Sequence, residues 1–318
     1  MKSGFIEHAL ELAERGRGTT TPNPIVGALV VAGDEVVAEG WHERKGGPHA
    51  EIAALEAAGE RARGATVYVT LEPCAHHGTT PPCADALVEA EITRLVAGQL
   101  DPHPGHGGGL DRLRDAGIEV ELADGEDGFR CRQQIEEWRT WATLGRPFVT
   151  YKVAVTLDGR VTVPGRRWIT GESARRLVHV LRSQSDAVAV GMGTVRWDNP
   201  RLDAREVPVL RQPRRIAFGR GPLPDDSELE LRSGPLEEEL EALGADGVQS
   251  LLLEGGPTLA AAFLERDLVD KVLVFVAPAL AGEGQGMLAG LPEPRELSRL
   301  EARAIGDDVL LQAYLHEP

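Results

Sequence analysis

The chain has 318 residues, room for two domains that each bury their own core. Its 42% hydrophobic and 26% charged content is that of a globular protein, and a formal charge of −16 repels nucleic acid and anionic membranes, which argues against a polynucleotide substrate. Apolar runs such as Val272 to Leu280 are too short to span a bilayer; there is no signal-peptide pattern, and the three cysteines imply no disulfide framework, so a cytoplasmic protein is expected.

Ser3 is placed to cap a first helix in which Ile6, Ala9, Leu10 and Ala13 recur at helical spacing and which Gly16 ends. Thr21-Pro22-Asn23-Pro24 fixes an extended loop before a strand over 25–31, and Gly33-Asp34 turns the chain into a strand returning to His42. A helix is predicted over 49–62, strands over 65–71, 95–98 and 118–122, and a helix over 129–144 that buries Cys131. Gly145-Arg146-Pro147 marks a boundary, giving predicted domains 1–145 and 146–318. Beyond it come strands over 148–155, 187–190, 215–218, 250–253 and 271–277, with helices over 172–184, 236–243 and 258–268. That alternation implies a mostly parallel sheet flanked by helices, which segments 302–304 and 309–315 would close as antiparallel strands.

His49-Ala50-Glu51, Pro73-Cys74 and Cys83 supply one imidazole, two ionisable thiols and a carboxylate two residues beyond the imidazole. Structural zinc is closed by four protein ligands; catalytic zinc keeps three and leaves a position for water, whose pKa falls to about 7. His49, Cys74 and Cys83 are therefore expected to hold one zinc ion per chain, with Glu51 beside them as proton shuttle. Their order follows the H-x-E, P-C-x-x-C signature of zinc nucleobase deaminases, except that eight residues, Ala75 to Pro82, separate the cysteines. Gly78 and Pro81-Pro82 suit a protruding loop there. Asn23, held between prolines, is placed to hold a pyrimidine edge through its amide. In the second half, Glu254-Gly255-Gly256-Pro257-Thr258-Leu259 lies between strand and helix, where small residues let a phosphate approach backbone N–H groups. It is not the G-x-G-x-x-G pattern, so no Rossmann fold is indicated.

The run Thr70-Leu71-Glu72-Pro73-Cys74-Ala75-His76-His77-Gly78 through Pro81-Pro82-Cys83 resembles the deaminase half of the bifunctional riboflavin-biosynthesis deaminase/reductases. Arg146-Pro147-Phe148-Val149, Lys152-Val153-Ala154, Leu157-Asp158-Gly159, Trp168-Ile169-Thr170, Gly193-Thr194-Val195, Asp198-Asn199-Pro200 and the Glu254-to-Leu259 turn are similar to the reductase half. The resemblance implies an α/β chain: a cytidine-deaminase-like three-layer domain followed by a dihydrofolate-reductase-like domain. It implies zinc-dependent deamination of a diaminopyrimidinone bearing phosphoribosylamine, then reduction of the ribosyl group to ribityl with NADPH. NADPH contacts are implied at Ala154, Trp168, Thr194, Asp198, Gly256, Pro257, Thr258 and Leu259. Substrate contacts are implied at His42, His76, Arg182, Leu202, Arg205 and Glu254. Arg182 and Arg205 carry forked donors suited to a phosphate. Partners would be the phosphorylated pyrimidine and further copies of the chain, with no nucleic acid and no membrane.

Some positions depart from the family pattern. Thr79-Thr80 stands where an Arg-Thr pair is usual, and the glycine-rich loop 101–109 lacks the usual Asn and basic residue, which leaves the exact pyrimidine open. Arg166 replaces a serine, Gly219-Arg220 replaces an Asp-Ser pair near the cofactor, and the 221–234 segment is abbreviated enough to have lost a strand. The alternatives are a deaminase with a degenerate second domain, a nucleic-acid base deaminase, and a zinc-stabilised ligand-binding protein without catalysis.

Overall fold

The computed structural model describes residues 3–76 and 81–318, the side chain of Ser3 excepted; His77, Gly78, Thr79 and Thr80 and the proposed Ser3 cap lie outside the description. The chain divides into two compact units, residues 1–144 with Pro318 and residues 145–317.

The first unit runs α1 (Ser3–Glu14), β1 (Gly27–Ala32), β2 (Glu35–Trp41), α2 (Ala50–Ala58), β3 (Thr66–Val69), α3 (Cys83–Glu89), β4 (Arg94–Ala97), α4 (Gly109–Asp115), β5 (Glu119–Leu122), α5 (Gly125–Gln134) and α6 (Glu136–Leu144). Its sheet has the order β2-β1-β3-β4-β5, with β1 antiparallel to both neighbours and β3, β4 and β5 parallel. Period-two alternation divides each strand between two cores. Ala28, Val30, Val67, Val69, Leu95 and Ala97 pack with Ala50, Ala54 and Leu87 of the helices on one face. Leu29, Val31, Tyr68 and Val96 pack with Ile6, Ala9, Leu10 and Cys131 on the other. Two glycines let the helices lie close. A Cβ on Gly27 would stand 2.0 Å from the Ala9 carbonyl oxygen, and one on Gly40 would stand 2.4 Å from that of Ala50. The second contact seats the start of α2, and so His49 and Glu51, against the sheet.

The single helix expected over 129–144 is two helices broken at Ile135, whose φ of −123° leaves the helical range. Ile135 and Trp138 turn instead into a separate core with Ala13, Ile25 and Leu71. The helix predicted over 49–62 ends at Ala58 and passes into a 3₁₀ turn, Gly59–Ala62.

The second unit runs β6 (Phe148–Thr156), α7 (Glu172–Gln184), β7 (Ala187–Gly191), α8 (Met192–Asp198), β8 (Arg214–Phe218), β9 (Glu230–Arg232), α9 (Leu236–Ala245), β10 (Ser250–Leu253), α10 (Pro257–Glu265), β11 (Lys271–Ala277), β12 (Ser298–Ile305) and β13 (Asp308–Tyr314). The sheet order is β12-β13-β11-β6-β10-β7-β8-β9. The six strands from β11 to β9 are parallel, and the β12–β13 hairpin closes one edge antiparallel. The abbreviated 221–234 segment carries one short strand, β9. Val149, Tyr151, Leu251 and Ile216 pack with Leu240, Leu243, Ala260 and Phe263 on one face. The opposite face is covered by Val195 of α8 and Ala174 and Val178 of α7. Asp270, 2% exposed, fastens the start of this sheet: it accepts two hydrogen bonds from the Arg146 fork (2.7 and 2.8 Å) and one from the Val149 N–H (2.7 Å). His316 Nδ1 lies 3.3 Å from the same carboxylate.

Candidate active sites

In the first unit three donors converge from three segments. His49 immediately precedes α2, Cys74 follows β3, and Cys83 is the first residue of α3. Their ligand atoms all lie within 4.8 Å of one another, with His49 Nδ1 3.2 Å from Cys83 Sγ and 3.7 Å from Cys74 Sγ. Tetrahedral zinc with bonds of about 2.0 Å to nitrogen and 2.3 Å to sulfur has N···S edges of about 3.6 Å, so these donors fit that ion. One imidazole and two thiols is also the donor chemistry zinc prefers. The thiols are already polarised: the hydrogen bond from Cys83 and burial act in opposite directions on Cys74, and the bond prevails, holding Cys74 down at about 4. The same bond pushes Cys83 up, so the pair shares one negative charge. The Cys83 N–H also donates to Cys74 Sγ at 3.3 Å. The hydrogen bond with Cys74 raises His49 above its ordinary value.

Glu51 lies in the first turn of α2, 4% exposed. Burial pushes its carboxyl up to about 7, against the opposing pull of His49, and the Cys83 thiol lies within hydrogen-bonding reach. A carboxyl so placed can take and return a proton near neutral pH.

Asn23 and His42 are linked. The ring of His42 is 3% exposed, its Nδ1 lies 2.8 Å from the Pro48 carbonyl oxygen, and its Nε2 lies 3.3 Å from Asn23 Nδ2. Because a carbonyl only accepts, Nδ1 carries the proton and Nε2 accepts from the Asn23 amide. Burial keeps the ring neutral by lowering its pKa. Both ring nitrogens of His42 are thus engaged by protein, and the ring meets that of His49 edge-on at 5.5 Å between centroids. His76 stacks on His106 at 4.2 Å, and His106 on His103 at 3.7 Å.

Sequence reasoning missed Glu72. Buried beside Pro73-Cys74, it accepts hydrogen bonds from the N–H groups of Asp101 (3.0 Å), Gly108 (3.0 Å) and Leu110 (3.1 Å). It thereby fixes the glycine-rich loop and satisfies the first N–H groups of α4 from 36 residues away. The buried glutamate in Thr70-Leu71-Glu72-Pro73 was the available signal.

In the second unit the predicted residues gather along the C-terminal ends of the parallel strands, where open α/β sheets bind ligands. Glu254 follows β10, accepts Arg182 Nε (2.6 Å) and Nη2 (3.0 Å), and lies 3.5 Å from Lys152 Nζ. Burial alone would raise this carboxyl; Lys152 and Arg182 outweigh it and hold Glu254 at about 2. Sequence reasoning assigns Lys152 no role, and its contact with Glu254 comes from the fold. Arg182 also donates to the Asp203 carbonyl (3.1 Å), and Arg205 pairs with Asp203 at 2.6 Å, so both forks are partly engaged within the protein. Leu202 packs its side chain into the core, 2% exposed, with a φ of 53°. Ala154 lies half-buried on β6, Thr194 on α8 faces Gly256, and Asp198 ends α8 exposed. A Cβ on Gly255 would stand 3.0 Å from Leu259 Cδ2, so small residues hold open the turn before Pro257, the first residue of α10. The exposed indole of Trp168 has the guanidinium carbons of Arg167 and Arg175 5.0 and 5.5 Å from its ring centroid.

Residues 1–99 match the family model of the cytidine and deoxycytidylate deaminase zinc-binding region, and residues 147–311 match that of the RibD C-terminal domain. The riboflavin biosynthesis protein RibD of Aquifex aeolicus is 38% identical over 96% of both chains. That of Mycobacterium tuberculosis is 40% identical over 87% of this chain and 84% of its own. Among solved structures, Acinetobacter baumannii RibD superposes with a TM-score of 0.85 at 35% identity, covering 98% of each chain. The Thermotoga maritima diaminohydroxyphosphoribosylaminopyrimidine deaminase/5-amino-6-(5-phosphoribosylamino)uracil reductase gives 0.82 at 34% identity, again over 98% of each.

Proposed function

The chain belongs to the RibD family, which joins a deaminase and a reductase of riboflavin biosynthesis in one polypeptide, and from that premise we propose a role for each unit and its residues. Residues 1–144 deaminate the diaminopyrimidinone that bears phosphoribosylamine, the substrate that the Thermotoga protein's name gives, and residues 145–317 reduce the resulting uracil. The observation that carries this reading is the convergence of His49, Cys74 and Cys83 around a tetrahedral-sized space beside buried Glu51.

Zinc, held by His49 Nδ1, Cys74 Sγ and Cys83 Sγ, supplies the Lewis acidity that makes water nucleophilic at neutral pH. Glu51 passes one proton of the attacking water to the ring nitrogen and then moves the second, from the new hydroxyl, to the amino nitrogen as the C–N bond breaks, so that a ring carbonyl beside an N–H, and ammonia, are the products. Asn23, with its NH₂ on His42, turns its carbonyl oxygen towards the pyrimidine edge. His42 acts through Asn23 and is a positioning residue. His76 flanks the substrate with His106 stacked behind it.

In the second unit NADPH, when bound, would supply the hydride that reduces the ribosyl anomeric carbon, whose bond to the ring oxygen breaks as that oxygen takes a proton from water, leaving the ribityl chain. The Gly256-Pro257-Thr258-Leu259 turn receives the diphosphate, and Ala154, Trp168, Thr194 and Asp198 line the remaining path. Arg182 keeps two N–H groups free after its bonds to Glu254 and Asp203, and these with Arg205 hold the substrate phosphate. Leu202 contributes its backbone. Among the described residues no helix is long and apolar enough to cross a membrane, in keeping with a cytoplasmic enzyme; assembly into homo-oligomers is checked by sedimentation.

The test follows ammonia release and NADPH oxidation separately on the diaminopyrimidinone substrate. Ammonia first and NADPH loss second supports both assignments; ammonia alone overturns the second; neither signal with zinc bound overturns both.

A further inference from the structure

In the second unit one residue joins three guanidinium groups. The Asp203 carbonyl oxygen accepts Arg182 Nη1 at 3.1 Å, while its carboxylate takes Arg205 Nη1 on Oδ1 at 2.6 Å and Arg201 Nη2 on Oδ2 at 3.0 Å. Asp203 is buried, whereas Arg201 and Arg205 are exposed. Burial would raise its carboxyl, but the hydrogen bond and charge of Arg205, with the charge of Arg201, outweigh it and hold the group ionised below its ordinary value. Each of these two arginines meets the carboxylate through one nitrogen, so both forks keep donors for a second anion. Lys152, Arg182, Arg201 and Arg205 stand against two carboxylates, Glu254 and Asp203, which leaves the cluster positive on a chain of net charge −16. A phosphate monoester, close to doubly negative at neutral pH, balances that surplus.

The backbone around Asp203 is held against its own preference. Leu202 has a φ of 53° and Glu206 one of 62°, left-handed values that a bulky leucine rarely takes. Gln212 pins the residue after Asp203, accepting the Ala204 N–H (2.9 Å) and donating to the Ala204 carbonyl (2.7 Å). Strain of this kind persists only where the surroundings over-determine it, and it gathers at ligand clamps. Here it delivers a carboxylate between two arginines that would otherwise repel each other and swing freely. We propose that Asp203 is a positioning residue of the reductase, which aims Arg182, Arg201 and Arg205 as one array at the substrate phosphate, with Arg201 a further contact to that phosphate. This rests on the reductase reading and deepens it: the array is what tells the phosphorylated substrate from its dephosphorylated counterpart. A guanidinium fork matches a phosphate in charge and geometry only when the fork is correctly turned, and the turning is the work of Asp203.

The test is NADPH oxidation by the full chain on the deaminated substrate, with its phosphate and after removal of that phosphate by a phosphatase. The native chain is expected to prefer the phosphorylated form by at least about a hundredfold in kcat/KM. Asp203→Ala should cut that preference about tenfold, through a rise in KM for the phosphorylated form and not through kcat. Arg201→Ala should cut it about three- to tenfold, and Arg201→Lys should restore part of the loss. A merely structural role would lower the rates on both substrates together and leave the preference intact. Should Asp203→Ala fail to fold, Asp203→Asn takes its place with a smaller fall. A preference that survives or rises on replacement of Asp203 or of Arg201 overturns the proposal, while continued NADPH oxidation leaves the reductase reading standing. A native chain with no preference overturns the placing of the phosphate on Arg182 and Arg205 and this proposal with it. A native chain that oxidises no NADPH overturns the reductase reading itself.

Discussion

Asn23 Nδ2 stands 3.3 Å from His42 Nε2, and the opposite nitrogen of that imidazole is held by the Pro48 carbonyl one residue before the metal donor His49. The loop that carries Asn23 and the segment that carries His49 are thus set by one neutral ring. Replacing His42 with Leu keeps the bulk and removes both bonds. Deaminase kcat/KM is expected to fall about 10- to 100-fold, the range for lost supporting contacts, with zinc content unchanged by metal analysis. An unchanged rate would place His42 outside the machinery.

Glu51→Gln keeps the shape of the side chain and removes its base. Ammonia release should fall by about 10² to 10⁴, while zinc stays bound and NADPH oxidation on the deaminated intermediate proceeds at the native rate. Retained ammonia release would move proton transfer to another group.

Stripping zinc with a chelator should abolish ammonia release and lower the melting temperature of the first unit, since any ligand bound only to the folded state stabilises it by mass action. Reduction of the intermediate should persist, and added zinc should restore both lost properties. A reductase that failed in parallel would contradict the division of labour between the units.

Glu72→Ala removes the acceptor for three N–H groups and leaves the start of α4 unsatisfied. A loss of about 3 kcal/mol is expected, from the cost of orphaned donors to a buried charged acceptor. Denaturant melts should show it in the first unit's transition alone.

The second unit should show a two-sided pH dependence. Burial would raise Asp270, but the hydrogen bonds from Arg146 and His316 outweigh it and hold the carboxyl below its ordinary 3.8. Its contribution is therefore present above that pH and is lost as pH falls through the lower folded value. His316 is raised from 6.5, first by its hydrogen bond to Asp270. Its contribution is complete below pH 6.5 and is lost as pH rises through the higher folded value. His316→Gln should remove the alkaline limb of melting temperature against pH and leave the acid limb in place.

These residues also show how much was legible in the sequence. That His49, Cys74 and Cys83 come together could be read because a metal needs particular atoms, and their order carries that need. The strands of both sheets could be read because period-two and fully apolar runs report burial directly. The purpose of His42 could not, because its partners Pro48 and Asn23 are set by the fold. The break at Ile135 was hidden because the 129–144 pattern suits a helix, and only the separate core around Ala13, Ile25 and Leu71 draws Ile135 out of it. The two short helices α3 and α4 are seven residues each, too short to stand on propensity. Their anchors are tertiary: the donor cluster around Cys83 and the remote carboxylate of Glu72.

The strand pairings have a consequence for how the polypeptide is made. In the first unit β1, β2, β3, β4 and β5 pair with strands close to them in sequence, so that sheet is complete once residue 122 has been synthesised. In the second, β6 lies between β10 and β11, and β11 is covered in turn by residues 308–314. The first strand made waits about 100 residues for its neighbours, and the sheet closes only with its last strand. Domains fold as units from the N-terminus during translation. The nascent chain therefore gains its two catalytic competences in the order in which the pathway calls on them.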